Sequence, residues 1–149
     1  MTDNSNSNSN SLDNYPVQTF DKIRYSDTDR QGHVNNAVFS TFLETGRVEI
    51  LYDPANELVK DGIEFVIARL TLDYLGEMHW PGNVTIGSRI ERLGNSSITL
   101  AQVLYQGDKL TAKAETVLVQ LDSASRRAKP FDEKARGFFE GMRAGQSNR

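Results

Sequence analysis

Apolar positions recur along the chain with two periods, and the change from one to the other divides it. Past Asn36, the residues Phe39, Phe42, Leu43, Gly46 and Ile50 fall on one face at steps of three and four, which predicts a long amphipathic helix. Pro54 sets the end of that helix near residue 52, and Gly32, His33, Asn35 and Asn36 mark its entrance. Ahead of it, residues 17–25 alternate loosely, with Val17, Thr19, Ile23 and Tyr25 against Lys22 and Arg24, a half-buried strand. From Ile63 the period is two. Val66, Ala68, Leu70, Leu72 and Tyr74 are expected on one face of a strand, and Val84, Ile86, Ser88 and Ile90 on one face of the next. Turns at Pro81-Gly82, Leu93-Gly94-Asn95 and Gly107-Asp108 lead into strands at 97–106 and 109–121. Residues 123–130 make a basic, polar connector, and 131–142 predict a short closing helix packed down by Phe138 and Phe139.

The expected order is a strand, the long helix, then four strands in a meander: an α+β fold of one helix layered on one curved antiparallel sheet. Gly46 in mid-helix costs about 1 kcal/mol against alanine, so it predicts a close approach to the sheet. A polar stripe, Asn36, Ser40, Glu44 and Arg47, either faces water or lines a cleft running from the helix mouth, and spacing leaves both open. Residues 1–14, rich in Ser and Asn, bury too little apolar surface to order and are expected to form a disordered tail. One domain is expected over 15–142, with a flexible tail at 143–149.

A net charge of −3 argues against a nucleic-acid binder. No cysteine is present, which removes disulfides and thiolate metal sites. No apolar run approaches the ~20 residues needed to span a membrane, and no secretory signal opens the chain, so a cytoplasmic protein is expected. GxSxG, HExxH, GxGxxG and P-loop patterns are missing, which leaves no serine triad, no cofactor and no metal site to expect. What remains is Asp29, a few residues before the helix entrance. A carbonyl lodged there would be polarised by helix N–H groups while the carboxylate attacks it or activates water. The competing assignment of Asp29 is a plain turn or cap residue.

The run Asp27-Thr28-Asp29-Arg30-Gln31-Gly32-His33-Val34-Asn35-Asn36-Ala37 closely resembles the DTDxxGHVNNAxY signature of the hotdog-fold acyl-CoA thioesterases, the 4-hydroxybenzoyl-CoA thioesterase-like family. Residues 42–47, FLETGR, are similar to that family's FLExAR continuation, and weaker agreement runs through 66–74 and 92–99. The resemblance implies a five-stranded antiparallel sheet wrapped around one central helix. It implies thioester hydrolysis with Asp29 as nucleophile or general base, the backbone N–H at Asn36 on the carbonyl, His33 in orientation or hydrogen bonding, and Glu44 as second candidate catalyst. Asp27, as supporting carboxylate or turn former, and Gly32, Asn35, Phe39, Arg92 and Ser97 are implied at the substrate. Phe39, Phe42, Tyr74 and Trp80 are candidates to close the acyl pocket. Arg89, Arg92, Arg126, Arg127 and Lys129 are candidates for the nucleotide. The implied partners are an acyl-CoA or acyl-carrier-protein substrate and further copies of the chain, as homodimer or homotetramer, with each site built from two protomers. Two other activities stay open: a non-catalytic acyl-thioester-binding scaffold, and an enoyl-thioester hydratase. The hydratase pattern wants aspartate and histidine five apart around Asn-Pro, which Asp29 and His33 do not match.

Overall fold

Helix α1 (Asn36–Leu51) lies against one face of a five-stranded antiparallel sheet in the computed structural model, which describes residues 10–143. The strands are β1 (Val17–Ile23), β2 (Ile63–Tyr74), β3 (Gly82–Leu93), β4 (Ser97–Gln106) and β5 (Lys109–Asp122). A short helix α2 (Glu133–Glu140) follows the sheet. This is the hotdog architecture that the resemblance implied. Among the described residues no helix is long and apolar enough to cross a membrane.

The apolar face of α1 joins two clusters. Near its start Phe39, Phe42 and Leu43 pack with Ile23, Val84 and Ile86; near its end Ile50 and Leu51 pack with Ile90, Ile98 and Leu100. Helix α2 closes the second cluster through the buried Phe139, whose ring meets Phe131 edge-on at 5.1 Å. Between the clusters the helix backbone comes down onto the sheet at Gly46, as its mid-helix position predicts. A Cβ there would stand 2.6 Å from Gln102 Nε2 and 2.7 Å from Ile86 Cγ2. Gln102 Nε2 itself donates to the Leu43 carbonyl at 3.2 Å and to Ser88 Oγ at 3.0 Å, tying helix to sheet.

The four-strand meander is corrected. The strand order is β1-β3-β4-β5-β2, so only β3, β4 and β5 follow one another by hairpins, and β2 joins the far edge of β5. The chain after β2 therefore crosses from one side of the sheet to the other. Leu75 and Gly76 N–H groups donate to the Thr111 carbonyl, and the Met78 carbonyl receives the Val34 N–H at 2.7 Å. Met78 is fully buried, so the crossing segment is pinned to the entrance of α1 by apolar burial as well as by hydrogen bonds.

Three further boundaries differ from expectation. Strand β1 stops at Ile23, and Tyr25–Asp27 forms a 3-10 turn, because Asp27 Oδ2 takes the Arg24 N–H at 2.8 Å and bends the chain. In β2 a bulge between Ile67 and Arg69 changes the face, which puts Val66 on the opposite side from Leu70, Leu72 and Tyr74. Of the expected tail, residues 1–9 lie outside the described part. Leu12–Asn14 is a 3-10 turn capped by Ser11, and Leu12 packs with Tyr15 and Val103 on the sheet's other face, so the ordered domain begins before residue 15. Nearly all of the expected C-terminal tail, 144–149, also lies outside the described residues.

Candidate active site

Thr28 and Val34 pair as an antiparallel bridge, and the loop between them carries Asp29 to the mouth of α1. The loop closes on itself: the Asp29 N–H donates to the His33 carbonyl at 2.8 Å, and the Gly32 N–H to the Asp29 carbonyl at 3.1 Å. Gly32 sits at φ +81°, a conformation that side chains with a Cβ rarely adopt, which accounts for glycine there. Asp29 Oδ1 accepts the N–H groups of Gln31 at 2.8 Å and His33 at 3.1 Å. Those two bonds fix the carboxylate while its other oxygen takes no hydrogen bond among the described residues.

Helix α1 begins at Asn36 with Asn35 as its N-cap, whose Oδ1 accepts the Ala37 N–H at 3.0 Å. The Val38 N–H turns back to the Asn35 carbonyl, and the Asn35 N–H goes to the Asp27 carbonyl. Of the N–H groups opening the helix, that of Asn36 has no partner among the described residues, the condition in which a helix N-terminus binds a partial negative charge. Asn35→Ala removes the cap and is expected to destabilise the protein by about 1 kcal/mol, read as a shift in the urea midpoint at unchanged slope.

A cleft of about 390 Å³ brings these groups together, lined by Asp29, His33, Val34, Asn36, Phe39, Tyr74, Leu75, Gly76 and Glu77. One end is acidic and rich in donors; the other is apolar, with Phe39 and Tyr74 edge-on at 5.1 Å. Tyr74 Oη donates to the Asn36 carbonyl at 3.0 Å, which holds the β2 side of the cleft to the first turn of the helix.

Of the residues singled out in the sequence, Asp29, His33, Asn36 and Phe39 meet in this cleft, with Gly32 and Asn35 shaping its backbone. Asp27 does not line it: its carboxylate is buried beneath the turn, bonded to the Arg24 N–H. Glu44 stands two turns along α1, about 12 Å from the first turn by helix rise, and is exposed. Arg92 and Ser97 sit at the hairpin joining β3 to β4, the far end of β3 from the cleft. Phe42 belongs to the core, and Trp80 packs edge-on with Tyr25 at 5.3 Å. The polar stripe divides, since Asn36 and Glu44 are exposed while Arg47 is buried. Burial lowers the pKa of the Arg47 guanidinium from its ordinary value, and the Glu44 carboxylate acts against that shift. Arg89 pairs with Glu91 at 3.2 Å and lies over the Tyr15 ring, and Arg126 pairs with Glu64 at 2.6 Å; none of the candidate basic residues lines the cleft.

Sequence reasoning missed Glu77 and His79. Both lie on the segment that crosses between β2 and β3, and they stand beside His33. Nothing in local spacing signals this, because the contact depends on Met78 being buried against the helix entrance.

Comparison with known proteins identifies the family. The model of the thioesterase-like superfamily matches residues 23–139. The long-chain acyl-CoA thioesterase FadM of Escherichia coli strain K12 is 28% identical over 130 residues, covering 85% of this chain and 98% of that protein. A thioesterase from Thermus thermophilus, complexed with coenzyme A and Zn, is 31% identical, with a TM-score of 0.76 over 87% of this chain and 95% of its own. The PA5185 protein from Pseudomonas aeruginosa strain PAO1 superposes with a TM-score of 0.81 at 22% identity, over 90% of this chain and 96% of that one, a likeness of fold. With a family match running from the end of β1 into α2 and a helix-mouth carboxylate in the fold's cleft, this chain belongs to the thioesterase-like superfamily.

Proposed function

We propose that the protein hydrolyses acyl-CoA thioesters to the free acid and coenzyme A at the Asp29 cleft. The observation that carries this is the pairing, on one cleft, of a fixed carboxylate with the unpartnered Asn36 N–H of a helix N-terminus. The thioester carbonyl oxygen docks on that N–H, where the negative charge growing on it in the transition state is stabilised. Asp29 then adds to the carbonyl carbon, giving a mixed anhydride that water opens, or takes a proton from the water that attacks. In either case the thiolate leaves and recovers a proton. A thioester is already activated for acyl transfer, so one carboxylate and one helix terminus suffice.

The apolar end of the cleft suits a medium or long aliphatic acyl chain, a preference that fits the relative named for long-chain acyl-CoA. A coenzyme A substrate is an intracellular one, which supports a cytoplasmic location. Among the described residues no lysine or arginine of one protomer lines the cleft to meet the nucleotide, and we place the nucleotide against a second copy. Strand β2 is an edge strand, and its Ile67, Leu70 and Tyr74 are exposed, a row that pairing with another chain would cover. A homodimer is the smallest unit that completes the site in this arrangement. Ile67→Asp on that edge is expected to shift the protein to monomer in light scattering and to abolish hydrolysis together with it. Activity in a stable monomer would refute the two-chain site.

Mass spectrometry of reactions with saturated and enoyl-CoA substrates tests the assignment. Free acid and coenzyme A are the expected products. A 3-hydroxyacyl-CoA would mean a hydratase, and acyl-CoA recovered intact but bound would mean a scaffold.

A further inference from the structure

We propose that His33, Glu77 and His79 form a site for one divalent transition-metal ion of the zinc class, at the rim of the Asp29 cleft. His33 Nδ1 lies 3.6 Å from Glu77 Oε2, and His79 Nε2 lies 3.6 Å from Glu77 Oε1. One ligand atom from each of the three residues falls within 4.8 Å of the other two. In a tetrahedral site with metal–ligand distances of about 2.0–2.2 Å, ligand atoms stand roughly 3.3–3.6 Å apart. The carboxylate is therefore already at coordination spacing from each imidazole. The imidazoles, edge-on with centroids 4.7 Å apart, need only small rotations of partly exposed rings to share an ion.

The backbone beneath the three side chains is fixed, which separates this cluster from a chance meeting of surface groups. His33 and His79 pair as an antiparallel bridge, next to the bond from Val34 N–H to the Met78 carbonyl. Gln106 clamps His79 on both sides of its peptide, accepting its N–H at 2.9 Å and donating to its carbonyl at 2.7 Å. Met78 points into the core between Glu77 and His79, so in extended backbone its two neighbours turn outward together. The donor set of two imidazoles and a carboxylate suits zinc, cobalt or nickel, and three protein ligands leave a coordination position open.

Such an ion would tie the crossing segment to the turn that holds Asp29, two pieces of chain distant in sequence. His33 and Glu77 both line the cleft, so the open position borders the volume assigned to substrate. The whole chain contains only these two histidines and no cysteine, so no other imidazole or thiolate competes for the ion.

The test is calorimetric titration of zinc into the untagged, chelator-treated full-length protein, with cobalt as a spectroscopic substitute. One equivalent is expected to bind, with a rise in Tm and the visible cobalt spectrum of nitrogen and oxygen ligation at low coordination number. His79→Ala and, separately, Glu77→Gln are expected to weaken zinc binding by more than about tenfold, with circular dichroism showing both variants folded. These readouts need no enzymatic activity, so they stand or fall apart from the hydrolase assignment. Binding well below one equivalent, or zinc affinity unchanged in both folded variants, would overturn the site.

Discussion

Asp29→Asn is expected to lower kcat/KM for acyl-CoA hydrolysis by about 10²–10⁴-fold, the range for losing a positioned acid–base group. That corresponds to about 2.7–5.4 kcal/mol of transition-state stabilisation. Asparagine is chosen because its side-chain oxygen still accepts the N–H groups of Gln31 and His33, so the turn keeps the two bonds that shape it. What disappears is the charge and basicity of the second, unbonded oxygen. Glu44→Gln, on the exposed side of α1 and outside the cleft, is expected to stay within a few-fold of wild type. Thiol release trapped by a chromogenic reagent measures both, with no cysteine in the protein to add background. Loss of activity in Glu44→Gln alone would move the catalyst onto the helix.

Gly46→Val is expected to destabilise the protein by about 3 kcal/mol, the upper end of what overpacking costs. Its first added atom already falls within 2.7 Å of Gln102 Nε2 and Ile86 Cγ2. Neither neighbour can step aside cheaply: Gln102 is held by the Leu43 carbonyl and Ser88, and Ile86 is fully buried. Gly137 supplies the contrast. It too lies in a helix, α2, but a Cβ there meets nothing within 4 Å. Gly137→Ala is therefore expected to stabilise by up to about 1 kcal/mol, the ordinary helix-propensity gain. Urea denaturation of the two variants reads opposite signs if the contact at Gly46 is real, and the same sign if glycine there is incidental.

The helix was legible because its apolar residues repeat at a local spacing, and the turn before it because Asp27 to Ala37 is one contiguous motif. Placing β2 was not a local matter. A period of two says that 63–74 is a strand but not which strand it pairs with, and its true neighbour, β5, comes more than thirty residues later in the chain. The bulge at Ala68 was hidden for a related reason: one extra residue exchanges the faces of a strand without changing its composition. Spacing left the polar stripe open between water and a cleft because a step of three or four residues does not say what packs above it, and Arg47 is buried while Glu44 is exposed. The site divides along the same line. Asp29, His33, Asn36 and Phe39 came from the motif and do meet in one cleft. Arg92 and Ser97 resemble family positions but lie along β3 from it, and Glu77 and His79 depend on where a crossing loop is pinned.

The structure of Asp29→Asn with an uncleaved acyl-CoA shows where the thioester binds. The thioester oxygen is expected about 3 Å from the Asn36 N–H, the side chain at position 29 on the carbonyl carbon, and the acyl chain along Phe39 and Tyr74. A thioester carbonyl found beside Glu44, or in the hollow near Arg89 on the sheet's other face, would contradict it.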